Sequence, residues 1–173
     1  MTGYYLQKSL FDFIDVDSFG RDSSFLRSVM SALKLGGLLY VTSTDGYSSG
    51  GYRPHRFLAA YGTYVHPMPF SNGNGLRMLI GGAVREAALL GYSITPLYSY
   101  YACHGPVFRV LLRLNRGKIY DSRHYGYIGF CHKYGNSHEF SWDQLGQFSC
   151  SCSMPQTTHS EQIKLQILVN RKT

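Results

Sequence analysis

At 173 residues the chain is long enough for one domain with a real core, or for a domain plus a small appendage. Seventeen Lys and Arg against ten Asp and Glu give a net charge of +7, which suits a polyanionic partner; the basic residues are scattered and not set opposite an apolar helix face, which argues against a lipid surface. No apolar run approaches the roughly 18 residues of a membrane span and no secretory leader pattern is present, so the expected setting is intracellular and reducing, with Cys103, Cys131, Cys150 and Cys152 as thiols and not a disulfide framework.

Phe11 to Val16 reads as a short apolar strand. Ser23 or Ser24 can cap a helix in which Phe25, Val29 and Leu33 recur every four residues, and Gly36 and Gly37 are expected to end it. Leu38 to Thr44, apolar and β-branched, is a second buried strand, so strand, helix and strand make a βαβ unit with its two strands parallel. TDGYSSGGYRPHR, residues 44–56, is a polar loop too long for a simple connection. Strand C-termini line the ligand crevice of open α/β sheets, so Asp15, Asp17, Thr44 and Asp45 are expected to face one cleft.

A long helix follows from about Leu76 to Leu90, with Met78, Leu79, Ala83, Ala87 and Leu90 on its apolar face. Pro96 to Tyr101 and Val107 to Leu114 are strands joined by ACHGP, which predicts an antiparallel hairpin at the end of the sheet. From about Asn115 the texture changes to short aromatic strands between turn signals. The expected division is an α/β domain over residues 1–115 and part of a small β-rich domain over 116–173, whose last stretch, QTTHSEQIKLQILVNRKT, reads as an irregular terminus.

FDFIDVDSFG, residues 11–20, closes its strand on two acids, a serine, an aromatic and a glycine. A catalyst that acts on the exocyclic amine of a nucleobase gains by accepting a hydrogen bond from that NH2 and by holding the base flat outside its stack. Asp17 and Phe19 place an acceptor and a stacking plate on one turn. The same residues also suit a local role, with Asp-x-Asp-Ser forming an Asx turn or helix cap and Phe19 in the core. The fifteen Tyr and ten Phe divide the same way, since bases stack on such rings and strands are also filled by them.

FDFIDVDSFG, GGLLYVTSTDG, LRMLIGGAVREAALLG and SYYACHGPVFRVLLRL, in this order between about Phe11 and Gly117, resemble consecutive blocks of the Trm1 family of S-adenosylmethionine-dependent tRNA (guanine-26-N2)-dimethyltransferases, most of all a plant branch. The resemblance implies the C-terminal half of a Rossmann-like class I methyltransferase sheet, with S-adenosyl-L-methionine as cofactor and tRNA as partner. It implies that Asp17 contacts the target amine and Phe19 the target base, with Asp15 as a supporting acid on the cofactor side and Gly20 allowing close backbone approach. Ser18 stands where the family motif has Pro, Asn72 and Gly73 where it has a His-Glu pair, and His104 and Arg109 match a family His and Arg with two extra residues between them. Candidate phosphate contacts are Arg53, Arg56, Arg77, Arg109, Arg113 and Lys118.

The family's zinc-binding CxxC pairs are absent: Cys131 has no such partner and Cys150 and Cys152 form only CxC, so no metal is expected, with these three cysteines the weak candidates. Nothing before Phe11 can be the Gly-rich turn and acidic strand end that hold the cofactor, so the expectation is a truncated enzyme whose cofactor half lies elsewhere and which is inactive alone. The alternative is a non-catalytic tRNA-binding remnant of the same family. The resemblance points to the nucleus as compartment, with an organelle as the alternative.

Overall fold

The computed structural model describes residues 10–18, 23–117, 125–144 and 163–169. Strand β1 (Phe11–Ser18) leads through helix α1 (Ser24–Ala32) into β2 (Leu33–Ser43); two short helices, α2 (Gly46–Ser49) and α3 (Pro54–Tyr61), precede the long α4 (Ser71–Leu89). A hairpin of β3 (Tyr92–Ala102) and β4 (Val107–Arg116) follows, then β5 (Tyr125–Cys131), β6 (Ser137–Phe140) and β7 (Ile163–Val169). The main sheet has the order β1-β2-β4-β3 and a second sheet the order β6-β5-β7. β1 and β2 are parallel and β3 and β4 antiparallel, so the fold is the α/β sheet ending in a hairpin that the sequence predicts. The hairpin joins through its second strand, β4, which leaves β3 at the edge.

Alternation along the strands gives this sheet two unlike faces. Leu39, Val41, Val110, Leu112 and Leu114 are buried with Leu26 and Met30 of α1, Phe57 and Tyr61 of α3, and Met78, Leu79, Ala83 and Ala87 of α4. The four helices pack with one another on that face. The opposite face carries Phe13, Asp15, Asp17, Tyr40, Arg109, Arg113, Tyr98 and Tyr100, and no described helix covers it. No helix among the described residues is long and apolar enough to cross a membrane.

The structure corrects several expectations. α1 stops at Ala32, ahead of both glycines, because Leu33 turns extended and buries its side chain as the first residue of β2. Gly36, at φ +81, sits instead where the β1–β2 register jumps from Phe11↔Leu33 to Phe13↔Leu38. The fully buried side chains of α1 are Leu26 and Met30, with Phe25 and Val29 only partly covered. Ser23 occupies the N-cap position but makes no capping bond; its hydroxyl donates to the Ala60 carbonyl and ties α1 to α3.

The expected loop over 44–56 contains α2 and the start of α3. Asp45 caps α2, its Oδ1 accepting from the Ser48 amide at 3.0 Å, and Pro54 occupies the first turn of α3, where its missing N–H costs nothing. α4 begins at Ser71 and not at Leu76. Asn and Gly are poor helix formers, so the run Asn72-Gly73-Asn74-Gly75 hides the first turn from any propensity argument. Packing overrides it: Asn74 and Gly75 are buried, and a Cβ on Gly75 would stand 2.5 Å from the Phe108 ring. Gly82 plays the same part against Tyr61, where a Cβ would come within 2.7 Å.

The second sheet lies against the start of α4. Ile128 of β5 joins the main core, the Phe70 and Phe130 rings meet edge to face at 5.7 Å, and Arg77 pairs with Glu139 at 3.4 Å. β7 falls where an irregular terminus was expected, pairing antiparallel with β5 from Tyr125↔Val169 to Cys131↔Ile163. A strand that depends on a distant partner for every backbone bond leaves little local signal.

Two stability predictions follow from this packing. Gly75→Ala should destabilise the fold by about 1–3 kcal/mol through overpacking against Phe108, whereas Gly73→Ala, with open space around it, should be neutral or stabilise by about 0.5–1 kcal/mol. Urea unfolding of both variants checks this; equal midpoints would contradict the close α4–β4 approach. In the same assay Asp45→Ala should cost about 1 kcal/mol by uncapping α2, and Asp45→Asn much less.

Candidate active site

Because residues opposite one another in register share a face, the pairings Asp17↔Thr42, Thr42↔Arg109 and Tyr100↔Arg109 set Asp17, Thr42, Arg109 and Tyr100 in one row across the uncovered face. At about 4.8 Å between strands, the Asp17 and Arg109 backbones lie about 10 Å apart. The next row holds Asp15, Tyr40, Leu111 and Tyr98. Both carboxylates are exposed, and neither pairs with a described cation. Ile14 and Val16, which alternate with them, pack against the core.

The strand ends converge at one rim. Ser18 pairs with Ser43 at the last rung of the parallel ladder, and Ser43 pairs with Phe108 near the start of β4. The turn between β3 and β4 carries an exposed His104, and its Pro106 stands so close to Gly46 that a Cβ there would meet it at 2.3 Å. His104 is therefore held beside the residues that leave β2. Thr44 is half-buried at this rim, while Asp45 is only 7% exposed and is engaged as the cap of α2. Asp45 thus supports the rim and does not line an open cleft with Asp15 and Asp17.

The basic candidates differ in their surroundings. Arg53 lies 5.7 Å from the centre of the exposed Tyr47 ring, Arg56 is exposed on α3, and Arg109 and Arg113 are exposed on β4. Arg77 is engaged with Glu139; both are about half-exposed, a geometry worth about 0–1 kcal/mol, so a stronger anion can displace the carboxylate. Phe19, Gly20, Lys118, Cys150 and Cys152 lie outside the described residues. Among the described residues no three His, Cys, Asp or Glu side chains group as metal ligands; Cys131 is buried and Cys103 exposed. Sequence reasoning missed Thr42, 5% exposed between Asp17 and Arg109. Its signal was the alternation along VTST, which becomes legible only once β4 is known to lie beside β2.

A family model of N2,N2-dimethylguanosine tRNA methyltransferases matches residues 2–163. The tRNA (guanine(26)-N(2))-dimethyltransferases of Saccharolobus solfataricus and Thermoplasma acidophilum are 34% and 32% identical to this chain over 72% and 75% of it. The solved complex of Trm1 from Pyrococcus horikoshii with S-adenosyl-L-methionine is similar over 79% of the chain, with a TM-score of 0.71 and 30% identity. The chain spans 33% and 37% of those two relatives and 38% of that solved chain. With a match over nearly its whole length and a sheet whose strand ends carry the motif, the chain belongs to the N2,N2-dimethylguanosine tRNA methyltransferase family.

Proposed function

We propose that this polypeptide is the substrate-facing part of a tRNA (guanine-26-N2)-dimethyltransferase that uses S-adenosyl-L-methionine. The observation that carries the reading is the exposed Asp17 at the C-terminal end of parallel strand β1, in one row with Thr42 and Arg109. The lone pair of guanine N2 is delocalised into the ring and attacks poorly. A carboxylate that accepts a hydrogen bond from N2–H localises that lone pair, and it can take the proton that N2 must lose after gaining a methyl group. Phe19, two residues on in the sequence, is assigned the face of the unstacked base. Ser18, in place of the family proline, is the last residue of β1 and pairs with Ser43.

Asp15 is the residue assigned to the cofactor: its exposed carboxylate stands one alternation behind Asp17 on the same face and can accept from an ammonium or amine group. When bound, S-adenosyl-L-methionine supplies the methyl sulfonium electrophile. The chain spans 33% and 37% of two such relatives, and the ribose and methionine ends are assigned to the part of the enzyme that this chain does not match. His104, Arg53, Arg56, Arg109 and Arg113 are assigned to phosphates of the tRNA, which a net charge of +7 attracts.

The test uses the enzyme with its cofactor-binding remainder in place. Asp17→Asn and Asp17→Ala should each lower methyl transfer by about 100-fold or more while tRNA affinity is little changed. Transfer at the wild-type rate in either variant would contradict the assignment. Binding of tRNA should also weaken steeply with salt, with a log-log slope of about −0.9 for each duplex phosphate neutralised; a flat titration would remove the phosphate assignments.

A further inference from the structure

In the row Asp17, Thr42, Arg109 and Tyr100 the acid, the guanidinium and the phenol are exposed, and Thr42 alone is buried, at 5% exposed. Strand β2 is paired along both edges at this point, with β1 through Asp17↔Thr42 and with β4 through Thr42↔Arg109. The backbone carbonyls around Thr42 are therefore directed into the two ladders, in the plane of the sheet, while its side chain stands out of that plane. A strand position that needed only bulk would be filled as well by Val, and burying a hydroxyl is unfavourable unless it is hydrogen-bonded.

We infer that Thr42 is a positioning residue for the methyl transfer: its hydroxyl donates to one carboxylate oxygen of Asp17 and leaves the other to accept from guanine N2–H. The inference rests on the role proposed for Asp17 above and extends it to a residue given none there. Within the row the hydroxyl has an acceptor on one side only. Arg109 carries donors and no acceptor, and Tyr100 stands two strands away, so the hydroxyl proton is directed to Asp17 and its lone pairs to the guanidinium. Strands lie about 4.8 Å apart, which puts an in-register hydroxyl and carboxylate in reach of an O–H···O bond of about 2.6 Å. A carboxylate turns easily about its last torsion; a fixed donor stops that rotation and aims the remaining oxygen, and a misplacement of about 1 Å at a reacting group can cost about 100-fold in rate.

This role does not require the face to be open. Ladder neighbours remain neighbours whatever the remainder of the enzyme lays over them, and Thr42 is already closed to solvent. The next hydroxyl along β2 cannot take its place, because Ser43 alternates to the helix side, where it lines a small cavity with Asp45, Phe57 and Phe108.

The enzyme with its cofactor-binding remainder, a tRNA transcript and labelled S-adenosyl-L-methionine provide the test. Thr42→Val, nearly isosteric and well suited to a strand, should lower kcat about tenfold or more and leave KM for tRNA within about twofold, and Thr42→Ala should do the same. Thr42→Ser, which keeps the hydroxyl, should transfer at close to the wild-type rate. Added to Asp17→Ala and measured in a single turnover, Thr42→Val should cause no further loss, because the group it positions is gone; damage to the fold would still add. Wild-type kcat in Thr42→Val, a Thr42→Ser variant as slow as Thr42→Val, or a further loss in the Asp17→Ala background would each overturn the role of Thr42. Slow transfer by Asp17→Ala beside a wild-type rate in Thr42→Val removes Thr42 alone, whereas full transfer by Asp17→Ala removes the assignment of Asp17 and the role of Thr42 with it.

Discussion

The candidate site depends on the register in which β1 lies beside β2, running from Phe13↔Leu38 to Ser18↔Ser43. Side chains alternate between faces, so a slip of one residue would carry Asp15 and Asp17 into the core against the helices and expose Ile14 and Val16. Burying an unpaired carboxylate costs far more than leaving two aliphatic side chains in water, so the alternation of acids and aliphatics itself pins the register. With that ladder fixed, the pairing of β2 with β4 brings Arg109 next to Thr42, and the hairpin brings Tyr100 next to Arg109. Four residues far apart in the chain thereby stand in one row.

The face behind this row is held by α4. Its start is glycine-rich because the helix must approach β4 within reach of the Phe108 ring, and Phe108 pairs with Ser43 at the rim. The packing that stabilises the domain therefore also supports the strand ends that carry the candidate chemistry. Ile128 and the Phe70–Phe130 contact extend the same core toward the second sheet, so that sheet is anchored by apolar burial and the half-exposed Arg77–Glu139 pair adds little.

Much of this was legible in the sequence. The parallel pairing of Phe11–Val16 with Leu38–Thr44, the hairpin around ACHGP and the exposed acids at the end of β1 all follow from periods and turn residues that act locally. What was not legible depends on contacts between distant segments. The start of α4 at Ser71 is set by Gly75 against Phe108 and not by propensity, β7 exists through its pairing with β5, and the inward role of Asp45 appears only when α2 forms above it. The order β1-β2-β4-β3 belongs to the same group, because the hairpin could have docked by either strand and only the observed choice puts Arg109 beside Thr42.

The chemistry proposed for the site is demanding in one respect: guanine offers several nucleophilic atoms, and N2 is among the weaker ones. A carboxylate at the end of β1 favours N2 only because it accepts from an N–H, which the ring acceptors N7 and O6 do not have. The atom that receives the methyl group is therefore the most direct test of the account. Incubating tRNA with labelled S-adenosyl-L-methionine and the enzyme complete with its cofactor-binding remainder, then digesting to nucleosides and resolving them by mass spectrometry, should give label in N2-methylated and N2,N2-dimethylated guanosine. Label on N7 of guanosine or on another base would contradict the role assigned to Asp17, and so would the absence of any methylated nucleoside.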